Sequence, residues 1–376
     1  MSPSSYDPNL EREVTSLLIE LIKIDSISGL ERKIADFICE YLYRLGFNIQ
    51  KQQISENRYN IIAKIGTPKF YFNAHMDTVE PLLEIKEDKN YIYGRGACDT
   101  KSCIASMLIA GKKLINQNIK NFGYIFTVGE EVDFIGSKKI KELNLNTQFI
   151  IVGEPTELIP INGHYGILTF RLIFKGKSAH SSTPELGINA IEKAIKNIKK
   201  IIDKLNVQEE SSLTLAKLNG GKADNIIPDK CEALFSMRIS PKDKTDYLEE
   251  VRKIIKNNAI IEKELNIKPT YSKIPKELNF LGTGKTVKYC TDLSFLGKGL
   301  VLGPGSIKQA HGNNEFIKKE DLVKAIKLYE RTGQEICSRS DNKSDNLELN
   351  HKNNRRKNNE ETRNGTQRYH FTALNL

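Results

Sequence analysis

The stretch KFYFNAHMD, residues 69–77, is an apolar run that ends in a histidine and an aspartate. Two later runs have the same form: YIFTVGEE (124–131) ends in two glutamates, and FIIVGEP (149–155) ends in a glutamate and a proline. Between the first two runs, KSCIASMLIAGKKLI (101–115) has the apolar spacing of a helix. Strands that alternate with helices predict an α/β layer with a largely parallel sheet, whose strands carry the ligand site at their carboxyl ends.

The flanking sequence extends this pattern in both directions. Residues 10–47 have the periodicity of amphipathic helices, interrupted by the turn signal SISG (26–29), and YNIIAKI (59–65) is a further strand. Near the other end, KGLVLGPG (298–305) predicts a strand and a loop, and EDLVKAIKLYERTGQEI (320–336) predicts a closing helix.

The middle of the chain has a different pattern. LTFRLIFKGK (168–177) alternates like a half-exposed strand, and the elements then follow in the order β-α-β-β-α up to residue 258. This order suits a small α+β domain of the ferredoxin-like type. We therefore predict that residues 167–279 form an insertion in an α/β domain made of residues 1–166 and 280–337.

Composition limits the classes of protein to consider. The chain has 376 residues, and its 57 Lys and Arg against 47 Asp and Glu give a formal net charge of +10. No apolar run approaches the roughly 18–20 residues of a membrane span, and the N-terminal MSPSSYDPNLERE is too polar for a secretory signal. Six scattered cysteines without a CxxC pair favour reduced thiols. We therefore expect a cytoplasmic protein with no membrane partner.

The basic excess does not by itself indicate nucleic-acid binding. Much of it lies on helical segments such as IEKAIKNIKKIIDKL (191–205), where lysines typically form a solvated face. Residues 338–376 hold eight Lys and Arg against five Asp and Glu, are rich in Asn and Ser, and lack apolar periodicity. We expect this tail to be disordered. No nucleic-acid-binding module or pattern of stacking aromatics accompanies the charge, so we expect no nucleic-acid partner.

Acidic and histidine side chains cluster at the predicted strand ends. They are His75, Asp77, Asp99, Glu130, Glu131 and Glu154, with His311 after the LGPGS loop. A carboxylate at the end of a half-buried strand is costly unless it is paired or binds a metal. Histidine and carboxylate ligands without a thiolate suit Zn²⁺, Co²⁺ or Mn²⁺, and five such groups at one sheet edge would hold two ions.

Each motif alone has a simpler explanation. His75 and Asp77 could form a surface pair, and two adjacent glutamates are usually solvated. Asp99 could cap the helix that follows it. Gly153-Glu154-Pro155 could be a turn that ends a strand. The combination of all these motifs, in this order and at strand ends, favours a metal site.

Six segments together resemble the M20 family of metallopeptidases. Within that family they resemble the branch of acetylornithine deacetylase and succinyl-diaminopimelate desuccinylase. The similarity extends from about residue 10 to residue 337. The segments are YFNAHMDTVEP (71–81), YGRGACDTKS (93–102), TVGEEVDFIGS (127–137), IVGEPTEL (151–158), FKGKSAHSSTPELGINAI (174–191) and LVLGPGSIKQAHGNNEFI (300–317).

The resemblance implies a role for each residue of the cluster. Asp99 would bridge two divalent ions, Zn²⁺ or Co²⁺. His75 and Glu154 would complete the site of one ion, and Glu131 and His311 that of the other. Glu130 would be the general base, and Asp77 would fix the tautomer of His75.

The resemblance also implies residues that contact the substrate. His180 would donate to the tetrahedral intermediate, across a homodimer that forms through the inserted domain. Asn225 and Arg238 match the elements that bind a substrate carboxylate. Gly305 and Ser306, with Gly303, would present backbone groups to the α-carboxylate, and Thr291-Asp292 resembles a segment beside them.

The implied reaction is hydrolysis of the amide bond of an N-acyl amino acid. GHYGIL (163–168) and LVLGPGSIKQAH (300–311) resemble the deacetylase branch, so we expect N2-acetyl-L-ornithine as substrate, with L-ornithine and acetate as products, as in arginine biosynthesis. Acetylcitrulline, succinyl-diaminopimelate and a dipeptide are the alternative substrates. A non-catalytic protein and a nucleic-acid-binding protein are the alternative classes.

Overall fold

The parallel core of the fold is a large sheet that carries helices on both faces. The computed structural model describes residues 7–143, 145, 149–205, 207 and 210–338. The helices are α1 (Pro8–Lys23), α2 (Arg32–Arg44), α3 (Lys101–Asn116), α4 (Ile135–Glu142), α5 (Ala190–Lys204), α6 (Tyr247–Ile255), α7 (Leu293–Leu296) and α8 (319–338), with short 3₁₀ helices at Pro184–Leu186 and Lys276–Leu281.

The strands fall into three sheets. They are β1 (Asn48–Ser55), β2 (Arg58–Ile65), β3 (Phe70–His75), β4 (Lys86–Glu87), β5 (Tyr91–Tyr93), β6 (Phe122–Thr127), β7 (Phe149–Val152), β8 (Ile161–His164), β9 (Gly166–Lys175), β10 (Ser212–Gly220), β11 (Lys230–Ile239), β12 (Ile260–Ile267), β13 (Thr270–Tyr271), β14 (Lys285–Val287), β15 (Gly299–Val301) and β16 (Phe316–Lys318).

The large sheet is mixed, with a parallel centre. Its strand order is β1-β2-β6-β3-β7-β15-β8-β13, and β14 pairs with β8. The four central strands β6, β3, β7 and β15 run parallel to one another, while the strands towards both edges add antiparallel pairs. The predicted α/β class with a mostly parallel sheet is confirmed.

Strand β3 shows why the sheet is covered on both faces. Phe70, Phe72 and Ala74 face the hydrophobic core that contains α1, α2, α3 and α8, whereas Tyr71 faces a second core with residues of α4 and α7. Successive side chains of a strand point to opposite faces, so a strand buried on both faces is a nearly continuous apolar run. This is the pattern of residues 69–75.

The middle of the chain forms a separate four-stranded antiparallel sheet. Its order is β10-β11-β9-β12, and α5 and α6 pack on it around a hydrophobic core of their own. The observed element order, β-α-β-β-α-β, is that of a ferredoxin-like unit and confirms the predicted α+β insertion. A third sheet, β16-β5-β4, lies outside both.

The chain returns to the large sheet earlier than the sequence indicates. Strand β13 pairs with β8 at Thr270 and Tyr271, ten residues before the boundary predicted at residue 280. A two-residue strand is too short to give a periodic signal. The predicted tail, residues 338–376, lies outside the described residues except for Ser338, which ends α8 there. No helix in the described ranges has the length and apolarity to span a bilayer.

Candidate metal centre

Three neighbouring parallel strands carry three of the five predicted ligands, His75, Glu131 and Glu154, to one edge of the large sheet. Strand β3 lies between β6 and β7, and its Asn73 is level with Ile125 and Val152. His75 is the last residue of β3, and the loops after β6 and β7 carry the glutamates. Because parallel strands end at the same edge, residues distant in sequence converge there.

Gly129 makes the turn that redirects the chain after β6. Its φ of +73° lies in the left-handed region, and a Cβ there would come within 2.7 Å of Arg58 Nη2. A residue with a side chain would therefore be strained and crowded at this position. The turn places Glu130 and Glu131 in a loop rather than in the strand.

The first ligand group consists of His75, Asp99 and Glu154. The Nε2 atom of His75 lies 3.1 Å from Asp99 Oδ1 and 3.9 Å from Glu154 Oε2. All three residues are buried, and their ligand atoms lie within 4.8 Å of one another. Asp99 precedes Thr100, the N-cap residue of α3, so the capping role considered for Asp99 is not observed.

The second ligand group consists of Asp99, Glu131 and His311. The Nε2 atom of His311 lies 2.9 Å from Glu131 Oε2 and 3.4 Å from Asp99 Oδ2. These ligand atoms also lie within 4.8 Å of one another, but His311 is half exposed. Asp99 thus offers Oδ1 to the first group and Oδ2 to the second, which is the arrangement that a bridging carboxylate needs.

The electrostatics of the cluster fit divalent cations. Burial raises the pKa of Glu154, and the charges of Asp99, Asp292 and Glu131 raise it further against the effect of His75. Burial also raises the pKa of Glu130 well above its usual value, as do Glu154 and other acidic neighbours. In the described part of the chain, no lysine or arginine side chain forms an ion pair with Asp99, Glu130, Glu131 or Glu154.

The carboxylates of the cluster raise the pKa values of both histidines. Burial lowers the pKa of His75, but the hydrogen bond with Asp99 and the charges of Glu154 and Glu130 outweigh burial and raise it. Hydrogen bonds with Asp99 and Glu131 raise the pKa of His311 to about 10. Nitrogen and carboxylate donors held this close, with few cations among them, are the donor set of a site for two ions such as Zn²⁺ or Co²⁺.

Asp77 contacts His75 through its backbone carbonyl. The ring Nδ1–H of His75 donates to the backbone carbonyl of Asp77 at 2.9 Å, while the Asp77 carboxylate lies 3.7 Å away. The backbone carbonyl therefore fixes the tautomer and leaves Nε2 for a metal ion. The sequence predicts that Asp77 fixes the tautomer of His75, but it does not show which of its oxygen atoms turns towards the ring.

The carboxylate of Asp77 has another function in the structure. It accepts hydrogen bonds from the backbone N–H groups of Glu130 and Glu131, at 3.1 and 3.2 Å, and from the hydroxyl of Ser28 at 2.7 Å. It therefore holds the loop that carries one predicted ligand and the predicted base.

His180 and Asn225 lie together, but apart from this cluster within one chain. His180 forms an isolated bridge with Ile226, and the Ser181 N–H donates to the carbonyl of Asn225 at 3.0 Å. His180 Nδ1 bonds the Ser182 hydroxyl at 2.7 Å. Neither residue bonds a member of the ligand cluster in the described ranges. The contacts within one described chain therefore do not connect them to the metal centre.

Arg238 lies near the end of β11 in the inserted domain, and its charge acts on Cys290 of the catalytic domain. Burial raises the pKa of Cys290 to about 11, and the nearby charge of Arg238 acts in the opposite direction. Cys290 precedes Thr291 and Asp292, whose carboxylate accepts a 2.5 Å hydrogen bond from Thr127 at the end of β6. Arg238 is half-buried and forms no hydrogen bond or ion pair with the described residues.

The loop with Gly305 and Ser306 packs beside Glu154. The carbonyl of Gly305 accepts from the Glu157 N–H at 2.7 Å, and the hydroxyl of Ser306 donates to Glu157 Oε1 at 2.5 Å. Gly305 has a φ of +80°, and a Cβ there would lie 2.6 Å from Cys98 Sγ. This loop therefore contacts residues near Glu154 and Asp99 in sequence, and the substrate role of Gly305 and Ser306 stays a prediction.

Sequence reasoning missed two charged residues that support the ligand loops. Arg95 and Glu315 form a buried ion pair at 2.8 Å, and both are bonded to the backbone around Asp99 and His311. Their positions in GRGACD and HGNNE, four residues from Asp99 and His311, were the available signal.

Comparison with known proteins identifies relatives over most of the chain. Residues 162–262 match the peptidase dimerisation domain family. An M20 peptidase domain-containing protein of Schizosaccharomyces pombe is 32% identical over 337 residues, which cover 84% of this chain and 83% of the relative. A protein of Talaromyces marneffei described as a probable carboxypeptidase is 29% identical over 379 residues, with 84% of both chains covered.

Solved structures share the fold. Aminopeptidase PepT from Bacillus cereus superimposes with a TM-score of 0.74 at 22% identity, over 87% of this chain and 98% of that one. The fold and the two ligand groups thus define a metal-dependent hydrolase of the peptidase type. The chain belongs to the M20 peptidase family.

Proposed function

We propose that this protein hydrolyses the amide bond of an N-acyl amino acid with the aid of two divalent ions, Zn²⁺ or Co²⁺. The observation that carries the proposal is the position of Asp99, which shares its two carboxylate oxygens between two three-residue ligand groups. Glu130 lies beside both groups, and no hydrogen bond to another described side chain occupies it. Family membership supports the same class of reaction.

The residues divide the chemistry among them. Two bound divalent ions would supply Lewis acidity to the amide carbonyl and make a water molecule at the site more acidic. Glu130 accepts a proton as water adds to the carbonyl carbon, and returns it to the nitrogen when the carbon–nitrogen bond breaks. The products are a carboxylic acid and an amino acid with a free amine. Asp77 keeps Glu130 in place through the backbone.

The substrate class follows from two features. Arg238 is a half-buried guanidinium without a partner in the described residues, and it suits a substrate carboxylate. An N-acetyl amino acid and the last residue of a peptide share an acylated amine beside a free carboxylate. A site that binds this common unit is consistent with two observations. The sequence resembles the deacetylase branch, and one relative is described as a probable carboxypeptidase.

Among these substrates we propose N2-acetyl-L-ornithine, because the segments at 163–168 and 300–311 resemble the deacetylase branch. The test is a panel of N2-acetyl-L-ornithine, N-acetyl-L-citrulline, N-succinyl-diaminopimelate and a dipeptide, with metal-loaded protein and a Glu130→Gln control. Preference for acetylornithine by kcat/KM supports the assignment. Preference for the dipeptide would make the protein a peptidase instead, and equal inactivity of wild type and control would refute the reaction class.

The inserted domain supports a homodimer. Residues 167–262 of this domain lie within the match to the peptidase dimerisation domain. Ile195 and Ile202 are 55% and 56% exposed and are seven residues apart on α5, so they lie on one face of that helix. Strand β10 is the edge of its sheet. A dimer that covered these groups could also bring His180 of one chain to the metal centre of the other.

The predicted cytoplasmic location is also part of this proposal. None of the six cysteines forms a disulfide bond within the described residues, and five of them are buried. Thiols without disulfide bonds suit a reducing compartment.

A further inference from the structure

Arg95 and Glu315 form a charged pair inside the catalytic domain, next to the metal centre but outside the ligand set. Their side chains are 2% and 0% exposed, and Arg95 Nη1 lies 2.8 Å from Glu315 Oε2. Burial of two charges costs solvation energy that the pair itself often does not recover. A pair of this kind therefore calls for a role beyond stability.

The carboxylate of Glu315 accepts hydrogen bonds from two successive backbone N–H groups, those of Cys98 and Asp99. Its Oε1 accepts the N–H of Cys98 at 2.8 Å and the N–H of Asp99 at 2.9 Å. Asp99 is the residue shared by both ligand groups. Glu315 thus sets the position of the shared ligand through its main chain.

Arg95 bonds the loop that carries His311. Its Nη1 also donates to the carbonyl of Gly312 at 3.2 Å, and its Nε donates to the carbonyl of Pro81 at 3.1 Å. His311 itself has a φ of +62°, in the left-handed region that disfavours side chains. A conformation of this kind persists only where neighbouring contacts maintain it, and Arg95 supplies one of them.

These contacts reach one ligand group more than the other. The pair holds Asp99, which both groups share, and the residue after His311, which is a ligand of the second group alone. In the described chain it has no bond to His75 or Glu154, which complete the first group. His311 is half exposed, so packing restrains it less than the buried His75.

We propose that the Arg95–Glu315 pair is a positioning device for the second metal ion, the one assigned to Asp99, Glu131 and His311. It acts through the backbone of Asp99 and the His311 loop, and it touches neither the ion nor the substrate. This inference rests on the proposed two-metal function. It predicts that disturbing the pair lowers the affinity for the second ion much more than the affinity for the first.

Arg95→Lys is the informative variant. Lysine retains the positive charge opposite Glu315, but its single ammonium cannot reproduce the fork that also reaches Gly312 and Pro81. Calorimetric titration of metal-free protein with Zn²⁺ measures the affinity of each binding step. Glu131→Gln, which alters only the second group, and Glu154→Gln, which alters only the first, assign the steps.

We expect Arg95→Lys to raise the Kd of the second step about 10–100-fold, the usual effect of removing a partner of a ligand, with less than about threefold change in the first. Arg171→Lys is the control, because Arg171 also pairs with carboxylates, Glu232 and Glu264, but lies on the inserted domain. The control should bind both ions as the wild type does.

Other outcomes overturn the inference in distinguishable ways. Wild-type affinities in Arg95→Lys, or an equal loss in both steps, would exclude a positioning role for the second ion. If Arg95→Lys does not fold, Glu315→Gln is titrated in its place, with the same expected result. If neither variant folds, the pair serves the fold and the inference is wrong. A wild type that binds fewer than two ions would refute the proposed function itself.

Discussion

The carboxylate of Asp77 accepts the backbone N–H of Glu130 at 3.1 Å. Its second oxygen accepts the N–H of Glu131 at 3.2 Å, so one buried side chain restrains both the proposed base and a proposed ligand. The two glutamates lie in a loop, where nothing in the local sequence would fix their direction. Asp77 therefore links the end of β3 to the loop after β6.

Asp77→Asn should impair catalysis while the fold is retained. The amide has one acceptor oxygen, so one of the two loop N–H groups would lose its partner, and the loop would be less well positioned. We expect kcat to fall about 10–100-fold. Steady-state kinetics and metal content measure the effect. Ser28→Ala removes only the hydroxyl that bonds Asp77 and should cost less than Asp77→Asn; a larger loss in Ser28→Ala would contradict this account.

Glu130→Gln should abolish turnover without loss of metal. The amide cannot accept the proton from water, and general-base catalysis is typically worth about 10²–10⁴ in rate. Kinetics together with metal analysis tests this. Glu131→Gln is the matched comparison on the neighbouring residue and should lower metal content instead. Normal turnover in Glu130→Gln would show that another group is the base.

Removal of metal should inactivate and destabilise the protein together. A chelator would leave the buried Asp99 and Glu154 and the partly buried Glu130 and Glu131 close together without cations. Metal that binds only the folded state stabilises it by about 2.7 kcal/mol at a concentration of 100 times Kd. We expect a lower Tm after chelation, and recovery of both Tm and activity with Zn²⁺ or Co²⁺. Full activity after exhaustive chelation would exclude the two-metal proposal.

Two inactive variants should restore activity when they are mixed, if His180 acts across a dimer. In a mixed dimer of Glu130→Ala and His180→Ala chains, one site has both residues intact. Random exchange of subunits would give about a quarter of the wild-type activity. Activity after refolding the mixture measures this. Each variant refolded alone is the control, and a mixture no more active than those controls would show that His180 does not act in trans.

The buried His164 should make stability depend on pH. Burial lowers its pKa from 6.5 to about 4, against a smaller opposite effect of the Tyr165 backbone. Within the described residues, neither ring nitrogen has a hydrogen-bond partner of normal geometry. In the unfolded chain, His164 therefore binds a proton below about pH 6.5. In the folded chain, it does so only below about pH 4. The contribution of neutral His164 to the free energy of unfolding is therefore fully present above pH 6.5. It is lost progressively as the pH is lowered towards 4.

When the pH is lowered from 7 to 5, protonation of this histidine in the unfolded chain should lower the free energy of unfolding by about 2 kcal/mol. His164→Leu removes the titrating group and should be less sensitive to pH by that amount. Denaturant titrations at both pH values, with chelator present, compare the two proteins. An identical pH dependence in wild type and variant would show that His164 does not titrate as its burial indicates.

Local sequence patterns sufficed to predict the strands and helices with strong periodicity. Strand β3 ends at His75 as the run at residues 69–75 indicates, and α3 and α5 match their predicted spans to within three residues. The short strands β13, β14 and β16 were missed, because two or three residues show no period. The helix α4 and the eight-residue strands β1 and β12 were missed as well.

The sequence by itself determined the kind of chemistry, because ligand types and their place at strand ends follow from residue identity and apolar periodicity. Only the tertiary structure decided which atoms meet. In the folded chain, the two oxygens of Asp99 belong to two ligand groups, and the Asp77 carboxylate bonds the loop that carries Glu130. The fold also brings Arg95 and Glu315 together next to the metal centre. Such contacts join residues up to 220 positions apart, and no local pattern encodes them.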